Sequence, residues 1–385
     1  MIDGGEGMSR EEIYAVFRSL LNREPENEGT VTSLSKCPDL RSLIDVVVSS
    51  PEFQRKIRIR EFVKSAVEEQ LAPWRGYGVV FDNYRQALDF ENRHSPSTFI
   101  YEITAGSVRI VPKSQPVPEV FTLRAGQFES IFRDMLSIYP NPGDLSFAVD
   151  VNDEARERTA YPVFSFQKQF GDRNILLPDF EFVVTDYLTK IAYDGTPYED
   201  KTNKASFAGS TTGKHLITLS DIRDVTVPRI RAAKYFRGRS DVDFRLPAIV
   251  QCTPEAEQAL IQDGFGHGVM GWDEAYTSKF IISMDGNGAT CSRPAIIMRS
   301  RSVLFKYNSN HVLFWSNQAK PWTHYIPIQN DDDVLRIIQL EKEENNRFHY
   351  IAAASTAFAE ELLGKDAILQ YTSGLLREFS ALIAR

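Results

Sequence analysis

Residues Lys279–Ile328 read KFIISMDGNGATCSRPAIIMRSRSVLFKYNSNHVLFWSNQAKPWTHYIPI, and the order of textures in this stretch decides the fold class. Phe280–Met284 is short, apolar and rich in β-branched residues, the pattern of a buried strand. Asp285-Gly286-Asn287-Gly288 ends it in a tight turn. Ala289–Met298 predicts a helix and Ser302–Tyr307 the next strand. Strand, turn, helix and strand in this order form the unit of open parallel sheets, whose ligands lie beyond the carboxyl ends of the strands.

Gly286 and Gly288 permit positive φ or close approach of another group to the backbone. The unpaired N–H groups of a helix starting after them face the turn and favour an anion. Arg293 falls in the first turns of that helix, where a guanidinium can grip a phosphate through two parallel hydrogen bonds. The same spacing serves a solvated surface charge. Upstream, Lys204–Ala208 predicts a short strand followed by Gly209-Ser210-Thr211-Thr212-Gly213, a hydroxyl-rich turn suited to an anion-binding nest. It is not a Walker motif, because Lys214 is followed by His215 where Ser or Thr is needed.

DGNGATCSR, SVLFKY and KPWTHYIPI, in that order, resemble the C-terminal half of glycosyltransferase family 90, which includes protein O-glucosyltransferases, fungal capsule-associated transferases and bacterial lipopolysaccharide-modifying enzymes. PVFSF at Pro162–Phe166 and FAGSTTG at Phe207–Gly213 resemble two further family blocks, so the resemblance covers roughly residues 75–365. It implies a GT-B arrangement of two facing Rossmann-like domains and transfer of a sugar from a UDP-sugar with inversion. Gly209, Ser210, Thr211, Thr212, Asp285, Gly286, Asn287, Gly288 and Arg293 are then the donor-binding set. Phe164, Ser165, Lys320, Trp322 and His324 are expected along the cleft, although KPWTHY equally reads as a rigid aromatic loop that touches no substrate. The family usually carries an arginine before the Gly-Ser pair, and Ala208 stands there instead, which leaves open which side chains hold the diphosphate.

Leu145–Val151 predicts a buried strand ending in Asn152-Asp153-Glu154, with another strand at Val163–Phe166. A carboxylate at a strand's carboxyl end points into the crevice that such sheets use for ligands. Asp153 in VDVND is the candidate catalytic base, since the resemblance implies a general-base aspartate just before the VFSF-like block. Asp150 and Glu154 are the alternatives if the register slips, and an aspartate here also suits a simple turn cap.

Composition is that of ordinary globular material, 42% hydrophobic and 25% charged over 385 residues, enough for two or three domains. A net charge of −8 argues against nucleic-acid or anionic-membrane binding through bulk charge. Cys37, Cys252 and Cys291 form neither a metal-ligand spacing nor a disulfide framework. The start MIDGGEGMSREE is acidic and polar where a secretory signal is basic and then apolar, and no long apolar run follows, so a cytoplasmic protein is expected.

Ser9 with Glu12 predicts a capped helix through Ile13, Val16, Phe17 and Leu21; Leu40–Ser49 and the stretch after SSPEF predict two more. This opening resembles a small bacterial helical module that accompanies glycosyltransferases, read here as a packing or docking appendage. FIYEI and VRIV flank Ala105-Gly106 as a hairpin. Phe121–Tyr139 predicts a helix and Phe180–Val184 a strand. Arg223, Arg229, Arg231 and Lys234 form a basic cluster, mostly a solvated face. Asp331-Asp332-Asp333 caps a helix from Val334, and helices over Arg347–Leu363 and Asp366–Ile383 follow, the last packing back on the preceding domain.

The expected fold is α/β and GT-B-like, with a helical module over residues 1–70, an acceptor-side domain over 71–202 and a nucleotide-sugar domain over 203–385. The expected activity is inverting transfer of a glucose-, xylose- or galactose-type sugar to a hydroxyl of a glycan or lipopolysaccharide. UDP-sugar is the donor, with no cofactor or metal expected, since no Asp-X-Asp follows a strand with clear divalent-ligand company, although VDVND contains an Asp-X-X-Asp. Nucleic acid is not an expected partner; peripheral membrane association remains open. The alternative is a noncatalytic glycan- or partner-binding protein on the same fold, which the departure at Ala208 favours.

Overall fold

The computed structural model describes residues 7–76, 81–154, 156–191, 193–289 and 292–383. The chain divides into two compact units, Met1–Lys64 and Ser65–Arg385.

In the first unit, α1 (Arg10–Leu21) starts with the expected capping box: Ser9 Oγ accepts from the Glu12 N–H and Glu12 Oε2 accepts from the Ser9 N–H. Asn27 caps α2 (Glu28–Leu34) and Asp39 caps α3 (Leu40–Val48). Ile13, Phe17, Val31, Leu43 and Val47 close one small core. α4 (Pro51–Arg75) begins with a proline at its first position, where a missing N–H costs nothing.

The second unit holds two five-stranded sheets. α5 (Phe81–His94) leads into β1 (Thr98–Thr104) and β2 (Ser107–Ile110), the expected hairpin, whose turn has positive φ at Ala105 and Gly106. α6 (Glu119–Ile138), β3 (Leu145–Asp150), β4 (Phe164–Ser165), β5 (Lys168–Gln169), β6 (Ile175–Leu176) and α7 (Glu181–Val184) follow. The first sheet runs β2-β1-β3-β4-β6; β1 is antiparallel to both neighbours, and β3, β4 and β6 are parallel. Phe180–Val184 is not the expected strand: the Asp179 carboxylate accepts from the Glu181 N–H at 2.8 Å and starts the short helix α7 instead.

β7 (Thr202–Ser210), α8 (Leu219–Arg223), α9 (Pro228–Phe236), β8 (Val242–Ala248), α10 (Pro254–Gln262), α11 (Trp272–Ala275), β9 (Ser278–Ser283), α12 (Ser292–Arg299) and β10 (Val303–Tyr307) build the second sheet. β11 (His311–Val312) and β12 (Ile326–Ile328) follow, and α13 (Asp331–Glu343), α14 (His349–Leu362) and α15 (Lys365–Ile383) end the chain. The order is β12-β10-β9-β7-β8, parallel throughout, with β9 buried along its whole length, as its continuous apolar texture requires. Asn330, rather than the aspartates, caps α13; Asp331–Asp333 occupy its first turn. α15 packs on the first sheet through Phe379, 4.9 Å from Phe164 between ring centres, and through Tyr371, whose hydroxyl donates to Leu176 O at 2.6 Å. A separate antiparallel pair, β5 with β11, connects residues following β4 to residues following β10.

Candidate functional site

The carboxyl ends of β3, β7 and β9 converge on a cleft of about 550 Å³ whose lining includes Asp153, Gln167, Gly213, Gly286, Asn287 and His311. Parallel strands leave their last carbonyls and following loops on one edge, so the fold itself gathers these residues.

Asp153 lies three residues beyond β3. Its Oδ1 meets Arg124 Nη2 of α6 at 3.0 Å, and Arg124 Nη1 also donates to Val151 O at 2.9 Å, so one guanidinium fixes both loop and carboxylate. The Asp153 side chain is 36% exposed, and its Oδ2 has no partner among the described residues. Asp150, by contrast, is buried and engaged: Arg158 Nη1 lies 2.8 Å from its Oδ2 while Arg158 Nε reaches Glu91 at 3.0 Å. Glu154 pairs with His215 at 2.9 Å. Of the three carboxylates weighed from sequence, Asp150 is consumed in a buried ion cluster, while Asp153 and Glu154 both line the cleft; Asp153 is the one held by an arginine that also fixes its loop.

The two turns read from sequence lie side by side. Arg229 of α9 joins them, donating to Ser210 O at 3.1 Å and Thr212 Oγ1 at 2.8 Å on one side, and to Asp285 O at 3.1 Å and Met284 O at 2.7 Å on the other. Asn287 Oδ1 accepts from the Gly213 N–H at 3.1 Å. Neither Gly286 nor Gly288 has positive φ; both serve close approach. A Cβ on Gly286 would meet Thr212 Oγ1 at 2.5 Å, and one on Gly288 would overlap the Gln167 carboxamide. Thr211 faces away from the cleft, exchanging hydrogen bonds with Val250 of 2.8 and 2.9 Å.

Arg229 belonged to a cluster that sequence assigned mainly to solvent. Arg223, Arg231 and Lys234 do pair with Asp224, Asp331 and Asp263, but Arg229 is only 5% exposed. Burial pushes its guanidinium down to about 10, with the like charge of Arg293 adding to the effect and Asp285 opposing it. Periodicity in the short helix α9 was the available signal, since Arg229 falls on one face with the buried Ala232, Ala233 and Phe236 at i+3, i+4 and i+7.

Arg293 donates to Ala208 O at 2.7 Å and stands 5.1 Å over the Phe207 ring. Burial brings it down to about 10 as well, opposed by Glu181. Among the described residues it has no carboxylate at ion-pair distance. It lines a separate pocket of about 130 Å³ with Phe207, Ala208 and Trp272 rather than the Asp153 cleft. The start of α12 carries an anion of the chain itself: Ser292 Oγ donates to Glu181 Oε2 at 2.5 Å. Thr290 and Cys291, within the stretch expected to open this helix, lie outside the described residues.

His311 was not singled out from sequence. Its Nδ1 is 3.0 Å from Asp285 Oδ2 and its Nε2 is 2.9 Å from Gln169 Nε2 across the β5–β11 pair. Two of the five residues expected along the cleft lie in the core. Phe164 and Ser165 are wholly buried in β4, because that strand is internal to its sheet. Lys320, Trp322 and His324 form a turn closed on itself, with the Trp322 N–H donating to Tyr325 O at 2.7 Å and the His324 ring 4.8 Å from Phe358 of α14. Among the described residues, no three His, Cys, Asp or Glu side chains are grouped to hold a metal ion, and no helix is long and apolar enough to cross a membrane.

The site is thus a carboxylate in a cleft lined also by two turns, on a two-sheet α/β frame. The family model for glycosyl transferase family 90 matches residues 61–385, and the chain belongs to that family. It is 33% identical over 292 residues to protein O-glucosyltransferase 1 of Rattus norvegicus, 69% of each chain. It is 24% identical over 257 residues to protein O-glucosyltransferase 2 of Danio rerio, covering 62% of this chain and 48% of that one, so the chain spans about half the length of this relative. It is also 21% identical over 351 residues to O-glucosyltransferase rumi of Drosophila melanogaster, 83% of this chain and 76% of the relative.

Proposed function

We propose that the protein transfers a glucose-, xylose- or galactose-type sugar from a UDP-sugar, with inversion, to a hydroxyl of a glycan or lipopolysaccharide, in the cytoplasm and without a metal cofactor. The arrangement we propose is GT-B-like, with a helical module over residues 1–70 and the reaction cleft between domains over 71–202 and 203–385. The observation that carries the reading is Asp153, oriented by Arg124, with an unengaged oxygen in a cleft whose other wall includes Gly213, Gly286 and Asn287. The O-glucosyltransferases named among its relatives support a hydroxyl acceptor and make UDP-glucose the first donor to test.

In this reaction Asp153 Oδ2 takes the acceptor hydroxyl's proton as the oxygen bonds to the anomeric carbon. The bond from that carbon to the diphosphate breaks with its electron pair left on phosphate. Backbone N–H groups of the turns offset the charge that develops there, and the buried charge of Arg293, from its separate pocket, adds to the positive field. The test is single-turnover transfer from UDP-glucose to a panel of glycan, lipopolysaccharide-core and serine-peptide acceptors. Transfer by the wild type that falls roughly 10²–10⁴-fold in Asp153→Asn, with UDP affinity retained, supports the reading. Near-normal transfer by Asp153→Asn removes the base, and no turnover of any UDP-sugar by the wild type removes the function.

A further inference from the structure

His311 lines the cleft, with Asp285 3.0 Å from its ring, but neither has a part in the reaction as written above. The geometry points to His311 as a further catalytic residue, one that donates a hydrogen bond to the leaving phosphate of the donor, with Asp285 as its positioning residue. This rests on the transfer reaction proposed above and adds the group that meets the departing oxygen.

Three observations combine. First, His311 is held rigidly: β11 pairs with β5 in the register His311 to Gln169, and the His311 N–H donates to Ser309 Oγ at 2.8 Å. Second, its ring has one settled end. A carboxylate can only accept, so Nδ1 carries the proton that it shares with Asp285 Oδ2 at 3.0 Å, and Ser309 Oγ donates to the same oxygen. Third, its other end is adaptable. Nε2 meets the carboxamide of the exposed Gln169, which can present N–H to a neutral ring or its oxygen to a protonated one. The side chain is 19% exposed and lines the cleft beside Gly286 and Asn287. The half-buried Asp285 carboxylate thus backs an imidazole that faces the cleft, an arrangement in which an acid orients a histidine that acts on substrate.

The chemistry balances without a further reactant. The acceptor oxygen bonds to the anomeric carbon, its proton passes to Asp153, and the carbon–oxygen bond to the β-phosphate breaks with both electrons remaining on phosphate. His311 forms no covalent bond; in the form that carries a proton on both ring nitrogens, its Nε2–H meets the charge arriving on the leaving oxygen and Asp285 offsets the ring's positive charge. Because the charge on the leaving oxygen is larger in the transition state than in the bound donor, the contact accelerates the chemical step more than it tightens donor binding.

The experiment uses the full chain, UDP-glucose and UDP, with single-turnover rates measured beside equilibrium affinities. His311→Gln is expected to slow turnover about 10–10³-fold while UDP-glucose affinity stays within about threefold. Asp285→Asn is expected to lose less, since the ring remains and only its orientation weakens. His311→Ala is expected to regain rate on addition of free imidazole, a recovery that a merely structural role would not produce, and UDP affinity measured on the same sample shows that the variant is folded. Wild-type turnover matched by His311→Gln, or His311→Ala folded but indifferent to imidazole, overturns this inference and leaves the transferase reading standing. Absence of turnover by the wild type overturns both.

Discussion

Gly288 exists as glycine because Gln167 occupies its Cβ position: a methyl group there would come within 2.7 Å of both Cδ and Oε1 of the Gln167 carboxamide. That same carboxamide donates from Nε2 to the backbone carbonyl of Asp153 at 2.5 Å. One side chain therefore links the turn after β9 to the loop that carries the base. Gly288→Ala is expected to cost about 1–3 kcal/mol by overpacking and to slow transfer about 10²-fold by displacing Asp153. Adding Gln167→Ala opens the space and restores much of the stability. A denaturant titration beside single-turnover rates checks both, and a Gly288→Ala protein with wild-type stability and rate would show that the two elements are uncoupled.

Asp153 and Asp150 separate by environment. Asp150→Asn breaks a buried ion cluster with Arg158 and Glu91, so about 3–5 kcal/mol of stability is expected to go while folded protein retains transfer. Asp153→Asn is expected to do the reverse. Urea midpoints and turnover per folded molecule distinguish the two, and a loss of transfer confined to Asp150→Asn would move the base to that residue.

Arg229 and Arg293 are expected to fail differently. Arg229 spends its hydrogen bonds on four protein acceptors, so Arg229→Lys loses the planar fork, loosens both turns and lowers the melting temperature together with UDP affinity. Arg293→Ala loses one carbonyl contact and an unpaired charge, and is expected to weaken UDP about 10-fold or more with the fold intact. Calorimetric titration with UDP and thermal melts give the two readouts; an Arg293→Ala protein that binds UDP like the wild type excludes a phosphate contact there.

Lys279 and Glu341 form a buried pair at 2.8 Å, with Asn345 and Asn346 completing the ammonium's hydrogen bonds. Glu341→Leu leaves Lys279 charged and uncompensated beneath the second sheet, and a loss of about 3–5 kcal/mol is expected. Equilibrium unfolding measures it. A loss below about 1 kcal/mol would mean that water or a shifted side chain replaces the carboxylate.

The sequence by itself determined the local elements and their class. Ser9 and Glu12 wrote the start of α1, the apolar run Phe280–Met284 wrote the innermost strand, and Ala105-Gly106 wrote the hairpin, because capping, periodicity and positive φ are settled within a few residues. It also located both turns and the loop carrying Asp153, since each follows directly from a strand end. What it left open are relations between residues far apart in the chain. Only the packed sheets decide that Arg229, 56 residues before Asp285, clamps that turn, that Asp150 is consumed by Arg158 while Asp153 is not, and that His311 reaches Asp285. Tertiary structure likewise turned Phe164 and Ser165 into core and folded Lys320–Tyr325 onto α14. The physical reason is common to all of these: a charged or polar side chain's role is set by what desolvates and partners it, and those partners come from strands and helices that only the fold brings together.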